Sequence, residues 1–451
     1  MSAAPFAKRK LHFVGIGGAG MSGLALVTRA LGADVTGSDR AESSYTARLR
    51  EHGIEPTIGH DAANVPAGAE VVVSTAIPAD NPERVAADGR VIHRGVLLGE
   101  VSRLKRAIAV AGTHGKTTTA GMAAHALAET GRDPAYLIGG ELRSAGSNAA
   151  WGDGDWIVVE ADESDRSFLE LARDVAVITN VELDHHHTYR SLAELDEAFA
   201  EFAAPAGVRI AGPGARIEGA VEYGIDEGAL RAEDVELRPL GSRFVLEGVE
   251  VELRVPGRHN VLNALAALAA CREAGLPIAE AAPALAGFTG AGRRFEDRGT
   301  TASGARVFDD YAHHPTEVRA TLDAARTLGA RRVVACFQPH LYSRTRMLAR
   351  AFGEALALAD LVAVVDVYPA RERAEDFPGT SGLTIARATA DAAGGRRVLW
   401  TPTIEEAAKR LAAEAQEGDA VLTLNAGDVD RVANLLTGRL RAGGACEQGF
   451  S

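Results

Sequence analysis

The sequence predicts an α/β protein of three consecutive domains, each built on a mostly parallel sheet. Three observations carry this. The chain has 451 residues, about three domains' worth at roughly 150 residues each. Short β-branched runs alternate with amphipathic helical runs along most of its length, the pattern of βα units. Two glycine-rich turns, each lying between an apolar run and a helical run, stand in separate parts of the chain.

Taken in order, residues 1–105 hold strands near "LHFVGIG", "DVTGSD" and "VVVSTA". Residues 106–292 hold strands near "RAIAVAG", "DWIVVEAD" and "DVAVITNVE", followed by a hairpin at "SRFVLEGVEVELRVPG". The stretch "GFTGAGRR" has the glycine content of a linker, and residues 293–451 follow with strands near "ARVFDD", "RRVVACFQP", "DLVAVVDVY" and "DAVLTLNAGD". The closing "RAGGACEQGFS" has the composition of a disordered tail.

Composition narrows the function. No apolar run reaches the ~20 residues of a membrane span, and the N-terminus lacks a secretory pattern, so neither membrane insertion nor export is expected. Cys271, Cys336 and Cys446 are too far apart for a disulfide framework or a thiolate zinc site, which favours the cytoplasm. The net charge of −13 repels polyanions and argues against nucleic-acid binding. An anionic ligand must therefore be held by local geometry.

Two local geometries suit one. "IAVAGTHGKTTTAGMAAHAL" places an apolar strand, a tight turn and a helix start in succession. The turn runs through Gly112, Thr113, His114 and Gly115 to Lys116, Thr117 and Thr118. It is shorter than the common phosphate loop, since position 110 is valine where that loop has its first glycine. Helix N–H groups and the helix dipole still favour phosphate, Lys116 supplies positive charge and Thr117 a hydroxyl for Mg²⁺. The bland alternative is a capped helix start without a ligand, but lysine is scarce here: Lys8, Lys10, Lys105, Lys116 and Lys409 are the whole complement. Glu160 ends the strand "DWIVVE", with Asp162 and Glu163 after it, and His185 follows "VITNVELD". Strand ends in a parallel sheet share the rim on which ligands bind. Both residues are thus candidate Mg²⁺ ligands, against readings as a solvated carboxylate and a chance histidine run.

The second geometry is Gly15, Gly17, Gly18, Ala19 and Gly20 between a strand and a helix, with Asp39 ending the next strand. This is a Rossmann-like fingerprint. It fits a dinucleotide with Asp39 on a ribose hydroxyl, and equally the diphosphate of a UDP-sugar. Two mononucleotide sites in one chain suggest consumption of ATP on a second, phosphate-bearing substrate.

"HFVGIGGAGMSGLA", "AGTHGKTTT", "EADESDRSF", "PGRHNVLNALAA", "GRRFE", "DDYAHHPTEV" and "FQPHLYSRTR" occur in this order over nearly the whole chain. In these motifs the chain resembles the Mur ligase family. The resemblance implies a Rossmann-like first domain, a central P-loop ATPase-type domain and a Rossmann-like third domain. It implies ATP-dependent joining of L-alanine to the lactyl carboxylate of UDP-N-acetylmuramate through an acyl phosphate, in peptidoglycan precursor synthesis. The first domain would bind UDP through Gly15–Gly20 and the "STAIP" segment with Ser74 and Thr75. Thr117 and Glu160 would hold one Mg²⁺ and His185 a second. Asn260 and Asn263 would contact adenine, Arg294 the ATP phosphates and Asp310 the ribose, while His340 and Arg344 would seat the amino acid. Monomer and homodimer are both compatible with this reading. Some members carry aspartate where this chain has His187, and arginine where it has Leu341. Some use a carbamylated lysine for the second metal, which this chain, lacking lysine between Lys116 and Lys409, does not offer there. The rival classes are an NAD-dependent dehydrogenase, a ligase for another amino acid or a recycled peptide, and a silent UDP-sugar-binding protein.

Overall fold

A computed structural model describes residues 4–438. The tail "RAGGACEQGFS" lies outside the described residues. The first sheet comprises β1 (Lys10–Val14), β2 (Asp34–Asp39), β3 (Thr57–Ile58), β4 (Glu70–Val73) and β5 (Val91–His93), all parallel, in the order β3-β2-β1-β4-β5. The chain switches direction between β1 and β4, so the turn after β1 and the segment after β4 open on one crevice.

The second sheet comprises β6 (Arg106–Ala111), β7 (Ala135–Leu142), β8 (Ser147–Ala150), β9 (Trp156–Glu160), β10 (Val175–Ile178), β11 (Val208–Ala211), β12 (Val221–Gly224) and β13 (Leu230–Arg231). Its order is β13-β12-β11-β10-β6-β9-β7-β8, parallel except for the β7–β8 pair. β6 is central, with β10 and β9 as its neighbours. It is covered on both faces, which is why "AIAVA" and "VAVI" read as unbroken apolar runs rather than alternating ones. A three-stranded sheet follows, β14 (Glu233–Arg238), β15 (Gly241–Leu246) and β16 (Val249–Leu253).

The last sheet comprises β17 (Glu296–Thr300), β18 (Arg306–Asp310), β19 (Val333–Phe337), β20 (Leu361–Val364), β21 (Arg397–Trp400) and β22 (Ala420–Leu424), ordered β17-β18-β22-β19-β20-β21. Only β17 runs antiparallel to its neighbour.

The chain packs as two compact units that divide at Gly292 and Arg293, with Leu237–Ser242 and Val255–Arg258 belonging to the second. In the first unit, one continuous core takes in Phe13 and Leu24 from the first sheet's layer and Ala109, Ile157 and Phe199 from the second's. Phe168 stacks on Phe202 within it, 5.0 Å between centroids, a contact worth about 0.5–1.5 kcal/mol beyond its burial. In the second unit, each face of the last sheet has its own core, one around Phe308, Phe337 and Phe352, the other around Val307, Cys336 and Leu411. Cys271 and Cys336 are buried among apolar groups, which pushes both thiols up to about 12. Among the described residues no helix is long and apolar enough to cross a membrane.

Every strand expected from the sequence is present. β3, β5, β7, β8, β11 to β14, β17 and β21 were not expected; most are short, edge-placed or rich in charge, and carry little apolar periodicity. The "GFTGAGRR" stretch also differs from a loose linker. Phe288 and Ala291 are fully buried, Ala291 bridges to Leu142, and the Gly292 N–H donates to the Glu141 carbonyl at 2.8 Å. The stretch is therefore pinned along β7 by backbone hydrogen bonds.

Candidate active site

The phosphate-type loop joins β6 to the helix Lys116–Glu129. Both its glycines have positive φ, +124° at Gly112 and +81° at Gly115. A Cβ on Gly112 would overlap the Thr179 hydroxyl, and one on Gly115 the Asn263 carboxamide. Only glycine satisfies both demands. The loop is fastened to the segment after β10. The Thr113 N–H donates to the Asn180 carbonyl at 3.1 Å, and the His114 N–H to Asn180 Oδ1 at 3.0 Å. Thr113 Oγ1 donates to the Glu182 carbonyl and accepts from the Glu182 N–H, both at 2.9 Å, while His114 Nε2 is 3.1 Å from the Glu182 carboxylate. Thr118 is buried behind the loop.

Lys116 folds back over this turn. Its Nζ donates to the carbonyls of Gly112 at 2.6 Å and Thr113 at 3.1 Å, and lies 2.9 Å from the Glu163 carboxylate. Glu163 is 1% exposed and also stands 3.3 Å from His185 Nε2. Burial disfavours the charged forms of Lys116 and His185, but the Glu163 and Asp162 carboxylates outweigh it and raise both pKa values. His185 itself has φ +52°. Its carbonyl accepts the N–H groups of Thr188 and Tyr189, so the turn that presents its ring is closed locally. His187 meets that ring edge-on, 6.2 Å between centroids.

Glu160 is no solvated loop carboxylate. Oε1 accepts from the Thr117 hydroxyl at 3.0 Å and Oε2 from the Gly139 N–H at 2.6 Å. A hydroxyl and a carboxylate already in contact form a hard-oxygen set of the kind Mg²⁺ takes. His185 brings a nitrogen, a less usual donor for that ion. Asn263 lies under the loop: Oδ1 accepts from Thr119 Oγ1 at 3.3 Å and Nδ2 donates to Asn260 Oδ1 at 3.1 Å. Both asparagines are buried on the helix Arg258–Glu273, inside its first turns rather than capping it. Asn263 thus buttresses Gly115 before it can serve any base.

In the first sheet's crevice, the turn after β1 exposes Gly18 and Gly20, with Ala19 beginning the helix Ala19–Ala30 and Gly15 at φ +77°. Asp39 closes this turn, accepting the Gly17 N–H at 2.8 Å, so its carboxylate is already engaged where a ribose contact was expected. Ser74 and Thr75 follow β4 on the same rim; Ser74 Oγ accepts the Ala76 N–H at 3.3 Å.

The second unit has its own constellation. Asp310 ends β18 and accepts the N–H groups of Phe295 and Ala312, both at 2.8 Å. Burial pushes its carboxyl up to about 6, against the opposing pull of Arg294. Arg294 lies over the Tyr311 ring at 5.2 Å. Its neighbour Arg293, which sequence reasoning passed over, bonds Asp309 at 2.9 Å and the Asn425 carbonyl at 2.8 Å, knitting β18 to the end of β22. His340 follows β19, stacks on Tyr368 at 5.8 Å and meets Arg344 Nη1 at 3.2 Å. Arg344 is buried, whereas Arg346 is exposed over Phe377. Leu341 sits at φ +69°, pinned by its N–H to the Tyr368 carbonyl at 3.0 Å.

The missed residues, Asn180 and Glu182, follow β10 on one side of β6, and Glu163, noted in the sequence without a role of its own, follows β9 on the other. The signal was available in their position after "VAVI" and "WIVVE", but not the strand order that brings them to the loop.

Three family models match the chain in succession: the Mur ligase family catalytic domain over residues 10–106, the Mur ligase middle domain over 110–271, and the Mur ligase glutamate ligase domain over 293–427. A UDP-N-acetylmuramate–L-alanine ligase of Rubrobacter xylanophilus is 46% identical, covering 96% of this chain and all of the relative. One from Streptomyces coelicolor is 47% identical, covering 94% and 96%. Among solved structures, a UDP-N-acetylmuramate–alanine ligase of Thermotoga maritima matches with a TM-score of 0.81 at 32% identity, covering 94% of this chain and 97% of that one. A murein peptide ligase of Psychrobacter arcticus matches at 0.69 and 26% identity, covering 96% and all of that chain.

Proposed function

The chain belongs to the Mur ligase family, and on that premise we propose that it joins L-alanine to the lactyl carboxylate of UDP-N-acetylmuramate, converting ATP to ADP and phosphate. The observation that carries this reading is the loop itself. A lysine and a threonine at a helix N-terminus lie against one acidic segment, that of Glu160 and Glu163, in a chain whose relatives bear that activity in their names.

A carboxylate is a poor electrophile because its leaving group would be oxide. In the proposed first step, a lactyl oxygen attacks the γ-phosphorus of ATP, ADP departs, and an acyl phosphate forms. The alanine amine then attacks the acyl carbon. The tetrahedral intermediate expels phosphate and the nitrogen loses its proton. No enzyme nucleophile is needed, and catalysis consists mainly of positioning and charge neutralisation. Lys116 turns from Glu163 to the β/γ-phosphates, and the loop N–H groups hold them. Thr117 and Glu160 would hold Mg²⁺, with His185 at a second; the ion, when bound, offsets phosphate charge. We assign residues 1–105 to the sugar nucleotide, 106–292 to ATP, with Asn260 facing adenine, and 293–451 to alanine through His340 and Arg344. Arg294 and Asp310 are assigned to ATP phosphate and ribose. A nucleotide-activated substrate of this kind places the enzyme in the cytoplasm.

The acyl phosphate has an isotopic signature. With both lactyl carboxylate oxygens labelled with ¹⁸O, one labelled oxygen should appear in the released phosphate for each amide formed. Unlabelled phosphate accompanying amide formation would refute the intermediate.

A further inference from the structure

Arg94 stands between the two phosphate-type turns of the first unit. It follows β5 and opens the helix Arg94–Ser102. Nη2 donates to Asp162 Oδ2 at 2.8 Å, and its other N–H groups make no hydrogen bond to any described residue. On its other side, a Cβ on Gly20 would come within 3.1 Å of Nη1. The guanidinium therefore lies over the open Gly18–Gly20 surface while tied to the acidic segment that carries Glu160 and Glu163.

Its placement is enforced from both ends. A Cβ on Gly95 would overlap the Ser167 side chain, so this helix start is seated directly on the segment after β9. Asp162 is oriented by the Ser164 N–H, which donates to Oδ1 at 3.0 Å and leaves Oδ2 to Arg94. A solvated surface ion pair, which contributes little, would not need this framing. One acidic partner also leaves most of the five N–H donors of a guanidinium unused.

The proposed substrate carries an anion at each end, a diphosphate and a lactyl carboxylate, and the carboxylate must reach the nucleotide at Lys116. Between the turns that would hold those ends, the structure offers Arg94, whose planar fork matches a carboxylate. We propose that Arg94 binds the lactyl carboxylate of the sugar nucleotide, and so distinguishes an acid-bearing UDP-sugar from the same sugar without the acid. Asp162 acts as its positioning residue. This inference rests on the proposed reaction.

Calorimetric titration of the full-length protein with UDP-N-acetylmuramate, UDP-N-acetylglucosamine and UDP tests it, with ATP binding as the check on folding. The native protein should prefer the muramate to the glucosamine by about 10- to 150-fold, the range of one charge-assisted contact. Arg94→Ala should bind both sugars alike, with its affinity for UDP-N-acetylglucosamine and for UDP unchanged. Arg94→Lys should recover only part of the preference. Equal weakening of all three ligands would mean that Arg94 serves the diphosphate, and undiminished preference would mean that it serves only Asp162; either overturns the inference while leaving the reaction standing. A native protein that binds no UDP-N-acetylmuramate would instead overturn the reaction on which it rests.

Discussion

Glu163 shows how single side chains at this site are poised against one another. One buried carboxylate is shared by Lys116 and His185, and each side chain would have to leave it to take the proposed phosphate or metal. Lys116 and Thr117 were legible in the sequence because a strand, a tight turn and a lysine at a helix start have few other uses. Glu163 was legible only as one of several acids, since its partners come from other strands. With no lysine available between Lys116 and Lys409 for a carbamate, activity should be indifferent to added bicarbonate, and His185→Ala should raise the Mg²⁺ concentration needed for half-maximal rate. An unchanged Mg²⁺ titration in that variant would remove His185 from the metal site. Arg344 belongs to the same scale. It is buried beside His340, where Arg346 is exposed, so it is the better candidate for the proposed alanine-carboxylate clamp. Arg344→Ala should raise the Michaelis constant for L-alanine by about 10- to 150-fold with little change for ATP. Alaninamide, lacking the carboxylate, should be a poor substrate for the native enzyme and should lose little further in the variant. Undiminished discrimination between the two amines would move the role to Arg346.

At the scale of elements, the loop works because its glycines let β10's extension and the helix Arg258–Glu273 approach it. Gly115→Ala would place a methyl in a left-handed conformation costing roughly 1–2 kcal/mol and drive it into Asn263. ATP affinity measured by calorimetry should fall at least tenfold, while UDP binding, on the other sheet, stays. Equal ATP affinity would show that the tight loop is not the nucleotide site. Asn263 also shows where motif reading stopped short. Its place in "GRHNVLN" was visible, but not that its carboxamide faces Gly115. In the first sheet, the helix Pro82–Ala86 delivers Glu83 to a fully buried position among Ser38, His60, Asn64 and His12. Burial alone would raise its carboxyl, but His12, 3.7 Å away, and hydrogen bonds from Ser38 and Asn64 bring it down to about 2. A carboxyl depressed by folding stabilises the protein above its ordinary pKa and loses that contribution as pH falls from about 4.5 toward 2. Glu83→Gln should therefore melt at a lower temperature at neutral pH, with the gap to the native protein closing across that window. A gap independent of pH would mean that the charge of Glu83 does not matter.

For the whole molecule, βα alternation made the three sheets readable, because strands buried on both faces announce themselves as apolar runs. The β7–β8 edge pair stayed hidden because "AYLIGGEL" is broken by glycines and "SNAA" lacks β-branched residues. The glycines after Leu285 read as a loose joint, yet they strap the end of the first unit to β7. A single measurement bears most directly on the account: phosphate release by the full-length protein across a matrix of ATP, UDP-sugar acceptors and amines, with NADH absorbance followed in parallel. Phosphate should appear rapidly only when ATP, UDP-N-acetylmuramate and L-alanine are all present, with NADH untouched. Release that requires a peptide instead of alanine, release without any amine at the same rate, or none at all with a change in NADH would contradict it.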